Sequence, residues 1–193
     1  LGKMSEYVAK TVAMCTAASA KGILSNKQIS RVLGEVVAQA SLSQGLVIVE
    51  QIKESPVCGL PVVSPDDLAM AQFSSGTTSN PKPVGLTHAQ VLANTDAILT
   101  YLEGDVGCSW LPLYHDMGLI GCVFPAVSLP GKLVLIPPEV FLAKPILWLQ
   151  SISKHKAYVS TAPNFAYSYC VDRIKDKDLE GLDLSSWKIA LNG

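Results

Sequence analysis

Blocks of apolar residues alternate with polar segments along the chain, and the spacing within each block predicts helices and strands in turn. Apolar positions that recur at helical spacing indicate helices, and short runs rich in β-branched residues indicate strands. The predicted strands are residues 22–25, 46–52, 68–75, 108–113, 132–138, 157–161 and 188–191. The predicted helices are residues 4–20, 26–42, 88–102, 116–127, 144–155 and 164–174. This alternation predicts an α/β fold with a mainly parallel sheet covered by helices.

Short polar side chains mark where two of these helices begin. Ser25 or Asn26 is predicted to cap the second helix and Thr87 the third, because a side-chain oxygen there accepts an otherwise unpaired backbone N–H. The segment 54–67 holds three prolines and one glycine, which predicts a loop. This loop is the best candidate for an internal boundary.

The composition is that of a protein rich in core residues. Of the 193 residues, 49% are hydrophobic and only 16% are charged, which excludes a disordered chain. The net charge of −1 gives no electrostatic basis for binding nucleic acid or an anionic membrane. The uncharged segment 117–131 is shorter than a membrane span and is interrupted by two prolines, so it predicts burial within protein rather than membrane insertion.

The cysteines and the two ends of the chain predict the cellular compartment of the protein and its relation to a longer chain. The five cysteines form no CxxC pair and no zinc-ligand spacing, so we expect reduced, mostly buried thiols and no metal site. The first residues lack the layout of a signal peptide, which predicts a cytoplasmic protein. Since the chain begins with Leu1 and ends in a predicted strand, we expect it to be an excerpt of a longer chain.

Residues 74–82, SSGTTSNPK, concentrate hydroxyl groups in one turn, and we call them the hydroxyl loop. A turn that follows a strand and precedes a helix offers backbone N–H groups to an anion. Gly76 would let the backbone approach a phosphate, and Lys82 would add a positive charge. Because Pro83 follows Lys82, this is not a Walker A loop. Phosphate binding and an ordinary polar turn both remain open from these residues alone.

The hydroxyl loop resembles the phosphate loop of the adenylate-forming superfamily, which includes acyl-CoA synthetases, luciferases and peptide-synthetase adenylation domains. The loop departs from the family pattern at Ser79 and Pro83, where glycine is usual. Three later segments resemble motifs of the same superfamily in the same order, in the form typical of fatty acyl-AMP ligases. They are SWLPLYHDMGLIG at 109–121, APNFAY at 162–167 and LDLSSWKIALNG at 182–193.

The resemblance assigns roles to individual residues. Lys82 and His115 are the predicted catalytic residues, and an imidazole at 115 could donate to a carboxylate or phosphate oxygen as charge develops. Asp116 could orient His115, but we favour it as a helix cap. The predicted nucleotide-binding residues are Ser74, Ser75, Gly76, Thr77, Thr78, Lys82, Asn192 and Gly193. The predicted acyl-binding residues are His115, Asp116, Met117, Gly118, Ile120, Gly121, Asn164, Phe165 and Tyr167.

The resemblance also implies a reaction. A fatty acid would attack ATP with the help of Mg²⁺ to give acyl-AMP and pyrophosphate, and the acyl group would pass to the phosphopantetheine thiol of an acyl carrier protein. Two alternatives remain: an acyl-CoA synthetase that transfers to CoA, and a non-catalytic nucleotide- or acyl-binding module.

The expected domain organisation follows from the same resemblance. Residues 1–193 would be a partial AMP-binding domain, with an α/β segment at 1–53, a loop at 54–67 and an ATP- and acyl-binding segment at 68–193. The magnesium ligand, the ribose-binding acid and the C-terminal domain would lie after Gly193. We therefore expect this chain to turn over poorly by itself.

Overall fold

The computed structural model describes residues 2–56, 59–73, 82–104, 106–129 and 131–193. These form two compact units, Leu1–Ala89 and Gln90–Gly193, and the predicted boundary at 54–67 falls within the first of them. Most of the hydroxyl loop lies outside the described residues, including the predicted phosphate-binding residues Ser74, Ser75, Gly76, Thr77 and Thr78.

The first unit begins with two helices packed on a small parallel sheet. Helices α1 (Gly2–Ala17) and α2 (Lys27–Gln39) contact each other, and strands β1 (Gly22–Ser25) and β2 (Gly45–Ile48) pair in parallel. Val8, Leu33 and Val36 are buried between these elements. The prediction of a cap at Asn26 is confirmed, because its side-chain oxygen accepts the Ile29 N–H at 2.9 Å.

The predicted buried strand at 46–52 is wrong in its extent and its burial. Strand β2 ends at Ile48, and a 3₁₀ turn follows at Val49–Gln51. The side chains of Val47, Val49 and Ile52 are 41%, 50% and 59% exposed. A short apolar run specifies neither strand length nor burial, since both depend on which elements pack against it.

The hydroxyl loop joins two strands, not a strand and a helix. Strand β3 (Leu68–Phe73) pairs with β4 (Pro83–Thr87) in antiparallel fashion, so Phe73 lies opposite Pro83. Helix α3 (His88–Leu99) begins only after β4. The prediction missed β4 because it opens with proline and contains a glycine, although proline is tolerated as the first residue of a strand.

The second unit is built on a four-stranded parallel sheet, which confirms the predicted α/β class. The strands are β5 (Val106–Ser109), β6 (Lys132–Leu135), β7 (Val159–Ala162) and β8 (Ile189–Asn192), and their order in the sheet is β6-β5-β7-β8. The helices are α4 (Asp116–Gly118), α5 (Phe124–Ser128), α6 (Pro138–Ala143), α7 (Ile146–His155), α8 (Asn164–Arg173) and α9 (Asp176–Leu179). Between β5 and β6 the helical residues form three consecutive parts: α4, a π-helical turn at Leu119–Val123 and α5.

Aromatic side chains form the core on one face of this sheet. Trp110 stacks on Phe141 with ring centroids 4.0 Å apart, and Trp148 meets both rings edge-on. The Trp148 indole N–H donates to the Ser160 hydroxyl at 2.9 Å, so its polar group is paired in the core. Trp110 and Trp148 thus pack the core of this unit.

Two predicted elements of this unit need correction. The strand predicted at 108–113 is β5, which ends at Ser109 because the chain then turns before Pro112 and α4. Helix α6 was not predicted, since the predicted strand at 132–138 extends over the two prolines at 137–138. Proline at the first helical position needs no backbone N–H, and Pro138 occupies that position.

The described cysteines differ in burial: Cys108 and Cys170 are buried, and Cys15 and Cys122 are half-buried. Free thiols are present at Cys15, Cys108, Cys122 and Cys170, and burial raises the pKa of Cys170 to about 11. Cys58 lies outside the described residues. Among the helices of the described ranges, none is long and apolar enough to cross a membrane.

Candidate functional site

The predicted site residues of the second unit gather at one edge of the parallel sheet. Strands β5, β7 and β8 end at Ser109, Ala162 and Asn192, and their carboxyl ends lie at the same edge. In open α/β sheets this is the edge where ligands bind. The segments that follow are 110–118, 163–167 and Gly193, which hold most of the residues predicted from the motifs.

His115 occupies the N-cap position of α4, with extended backbone. Its Nδ1 lies 2.7 Å from Asp116 Oδ1, and the Met117 N–H points towards both, at 2.7 Å from the carboxylate and 3.3 Å from the imidazole. The shorter distance assigns the Met117 N–H to the carboxylate, which leaves Nδ1–H to donate to Asp116. The cap favoured at Asp116 is corrected: His115 occupies the N-cap position of α4, and Asp116 is the first helical residue, with its carboxylate against the imidazole.

Gly118 makes the turn before α4 possible. A Cβ at this position would lie 2.3 Å from the Pro112 carbonyl oxygen, a contact that the backbone cannot relieve. The same carbonyl accepts the His115 N–H at 3.1 Å. The absence of a side chain at Gly118 therefore allows the backbone turn that positions His115, and a side chain at 118 would displace the His115 imidazole.

The helical segment after His115 widens at a π-helical turn. The Phe124 N–H donates to the Leu119 carbonyl, five residues back, and Pro125 lies in the first turn of α5. Proline has no N–H to continue an α-helical ladder, which accounts for the wider turn. The turn contains Ile120 and Gly121, and Gly121 leaves open space, since a Cβ there would meet only the Met117 Cγ at 4.0 Å.

Met117 contacts the end of β8. A Cβ at Gly193 would lie 2.8 Å from the Met117 Cε, so the thioether packs directly against that glycine. The Asn192 amide nitrogen lies 3.4 Å from the Asn164 side-chain oxygen. Residues predicted separately for acyl and nucleotide binding are thus neighbours at this edge.

The first turn of α8 supplies two aromatic side chains to the same region. Phe165 is 53% exposed and meets the Trp110 ring edge-on at 6.0 Å. The Tyr167 hydroxyl donates to the Leu191 carbonyl at 3.1 Å. Burial, with a smaller contribution from Cys170, raises the pKa of Tyr167, so its hydroxyl remains a donor. The sequence did not mark Leu191, since its role is carried by the backbone.

A cavity of about 70 Å³ lies between the sheet and the helical residues on the face opposite the aromatic core. Most of its lining is apolar, and Leu191 and Gly121 connect it with the residues of the edge. Cys122 borders the cavity, and burial raises the pKa of its thiol. Cys108 also borders it, but its side chain belongs to the core on the other face of the sheet, where burial raises its pKa to about 12. Its lining residues include Ile98, Leu99, Leu102, Gly107, Cys108, Gly121, Cys122, Pro125, Leu133, Val159, Thr161 and Leu191.

Sequence reasoning missed Cys122, Val159 and Thr161 as cavity residues. Val159 and Thr161 are two apart on β7, as residues on one face of a strand must be. The two-residue alternation along β7 can be predicted from the sequence, but the face of the strand that borders the cavity cannot.

Lys82 belongs to the first unit and is exposed directly before β4. Of the residues predicted to bind the phosphates of ATP, Lys82 is the one that lies within the described ranges. Within the described part of the chain, no group of three or more His, Cys, Asp or Glu side chains could hold a metal ion.

Comparison with known proteins decides the family. The model of the AMP-binding enzyme family matches residues 5–193. The chain belongs to the AMP-binding enzyme family. A medium-chain fatty acid–acyl-carrier-protein ligase of Teredinibacter turnerae is 40% identical over 136 residues, which cover 69% of this chain and 21% of the ligase.

Two further relatives extend over nearly the whole chain. A putative acyl-CoA synthetase of Caulobacter vibrioides is 33% identical over 194 residues, covering 98% of this chain and 34% of the synthetase. The crystal structure of a fatty acyl-adenylate ligase from L. pneumophila, in complex with acyl adenylate and pyrophosphate, is 33% identical with a TM-score of 0.81. The match covers 96% of this chain and 33% of that one. This AMP-binding enzyme chain thus spans between a fifth and about a third of the proteins it resembles.

Proposed function

We propose that the full-length protein containing this chain activates a fatty acid with ATP, giving acyl-AMP and pyrophosphate, and transfers the acyl group to an acyl carrier protein. The observation that carries this proposal is the gathering of His115, Met117, Asn192 and Gly193 at the carboxyl edge of the sheet, beside an apolar cavity. A carboxylate at this edge would have its hydrocarbon tail next to a space lined mainly by apolar side chains.

Lys82 is assigned to the phosphates. Its ammonium group is exposed and stands at the end of the hydroxyl loop, so it is available to an anion. As the fatty acid carboxylate attacks the α-phosphorus, negative charge moves onto the leaving pyrophosphate, and a positive group there lowers the barrier. The remaining proposed phosphate contacts are Ser74, Ser75, Gly76, Thr77 and Thr78.

His115 is assigned to the reacting carboxylate and α-phosphate. Asp116 accepts from Nδ1, which leaves Nε2 directed away from the carboxylate and available to the substrate. An imidazole held in this way can donate to an oxygen on which charge develops. Gly118 supports that geometry, because only a glycine accommodates the Pro112 carbonyl.

Mg²⁺ would neutralise charge on the leaving pyrophosphate when bound. The described residues offer no cluster suited to hold it, so we assign it no ligand and no step in this chain. We propose that its ligands, like the rest of the catalytic machinery, belong to the remainder of the full-length protein, with residues 1–193 as part of its AMP-binding domain.

The acyl chain is assigned to the cavity, with Gly121 on its wall. In the full-length enzyme, Gly121→Leu is expected to lower kcat/KM for the longest accepted fatty acid at least tenfold, while a short acid is activated at nearly the original rate. A Cβ at position 121 has room, since it would meet only the Met117 Cγ at 4.0 Å, and a leucine there would take space from the cavity that Gly121 borders. Each methylene of a hydrophobic pocket changes discrimination by about 10- to 200-fold. Pyrophosphate release measured with acids of increasing length checks this, and an equal loss for all lengths would exclude Gly121 from the acyl site.

An acyl carrier protein is the proposed acceptor because the Teredinibacter turnerae relative is named as a ligase for that partner. CoA is the second candidate, because the Caulobacter vibrioides relative, which matches more of this chain, is named a putative acyl-CoA synthetase. The two differ only in the second half-reaction.

Product identification separates these possibilities. The full-length protein, ATP, Mg²⁺ and a panel of fatty acids are incubated with either CoA or a holo acyl carrier protein, and the products are identified by mass spectrometry. We expect acyl-AMP in both reactions and acyl transfer to the carrier thiol alone. Acyl-CoA would select the second candidate, and the absence of any adenylate would favour a non-catalytic binding module.

A further inference from the structure

Two tyrosines of α8 donate their hydroxyls to backbone carbonyls on different elements. The Tyr167 hydroxyl donates to Leu191 in β8 at 3.1 Å, and the Tyr169 hydroxyl donates to Leu142 in α6 at 2.6 Å. Leu191 immediately precedes Asn192, whereas α6 contributes to the aromatic core. The two tyrosines therefore make equivalent hydrogen bonds from the same helix. The bond of Tyr167 reaches the candidate site, and the bond of Tyr169 reaches a structural contact.

Besides its pairing with β7 and the contact of Met117 with Gly193, the end of β8 is held by long polar contacts among the described residues. β8 is an edge strand of the described sheet and pairs with β7 alone. The Gly193 N–H lies 3.4 Å from the Ala162 carbonyl, and the Asn192 amide lies 3.4 Å from Asn164, so both contacts are at the long limit of a hydrogen bond. The bond from Tyr167 is shorter than either of them.

We propose that Tyr167 is a positioning residue for the nucleotide. Its hydroxyl fixes the Leu191 carbonyl, and through it the Asn192–Gly193 segment that is assigned to the nucleotide. This inference rests on the proposed function, which assigns the Asn192–Gly193 segment to the nucleotide. It gives Tyr167 a role different from the predicted one of lining the acyl site. Tyr167 acts through Leu191 and touches no reacting atom.

The two tyrosines provide matched variants for a test in the full-length enzyme. Tyr167→Phe is expected to raise the KM for ATP about fivefold, roughly the effect of one net hydrogen bond, with the KM for the fatty acid unchanged. Tyr169→Phe removes an equivalent bond and is expected to leave both constants unchanged. Thermal unfolding should place the two variants close together, so a general loss of stability would not account for the difference.

Calorimetric titration with AMP measures nucleotide affinity directly and requires no turnover. Weaker AMP binding by Tyr167→Phe than by Tyr169→Phe supports the inference. Equal effects of the two variants, or a rise in the fatty acid KM in place of the ATP KM, would overturn it. If the unmodified enzyme forms no acyl-AMP from any acid, the proposed function fails, and the AMP titration still decides whether Tyr167 positions a nucleotide segment.

Discussion

Lys82→Ala in the full-length enzyme is expected to lower the rate of acyl-AMP formation by about 10²- to 10³-fold, the usual effect of removing one group that stabilises developing charge. Lys82 is exposed, so its loss leaves no cavity and no unpaired buried charge. The folded state should therefore keep its thermal stability. Pyrophosphate release at saturating ATP and fatty acid measures the effect on the chemical step.

Lys53→Ala is the matched control, because Lys53 is another exposed lysine of the first unit and has no assigned role. It removes the same charge from the same unit and should leave the rate unchanged. A Lys82→Ala enzyme that works at the original rate would remove Lys82 from the site and would favour a scaffold that lacks ATP chemistry.

His115→Ala is expected to lower kcat for adenylation about 10²-fold with a smaller change in the KM for ATP. The reason is that the imidazole donates mainly to charge that develops as the acid attacks, so its loss affects the transition state more than the bound substrates. Asp116→Asn should produce a smaller loss, since it keeps an acceptor for the ring and for the Met117 N–H. Single-turnover formation of acyl-AMP checks both variants.

His88→Ala controls for the loss of a histidine as such. His88 begins α3, and its backbone N–H donates to the Asp67 carbonyl, a contact that does not use the side chain. We expect it to retain the original rate. If His115→Ala changed only the KM for the fatty acid, His115 would be a binding residue and not a catalytic one.

Much of the second unit could be predicted from the sequence because its elements are encoded locally. The strand predicted at 157–161 and the helix predicted at 164–174 are present in the structure as β7 and α8. Residues of separate motifs also lie together in the structure: Met117 lies against Gly193, and Asn164 faces Asn192.

The features that escaped prediction depend on contacts between distant segments. Strand β4 exists because it pairs with β3, and its own proline and glycine argue against a strand. The exposure of Val47 depends on what covers β2, which no local pattern encodes. Leu191 accepts the Tyr167 hydrogen bond through its backbone carbonyl. Because every residue has such a carbonyl, no residue type in the sequence indicates this contact.

The cysteine of the cavity wall bears on the fate of an activated acid. An acyl adenylate is a mixed anhydride that transfers its acyl group to a thiolate, and Cys122 borders the cavity proposed for the acyl chain. Burial raises the pKa of the Cys122 thiol, so the thiol remains protonated and poorly nucleophilic at neutral pH. An acyl adenylate bound there would therefore not acylate Cys122, and its acyl group would be kept for the thiol of the acceptor.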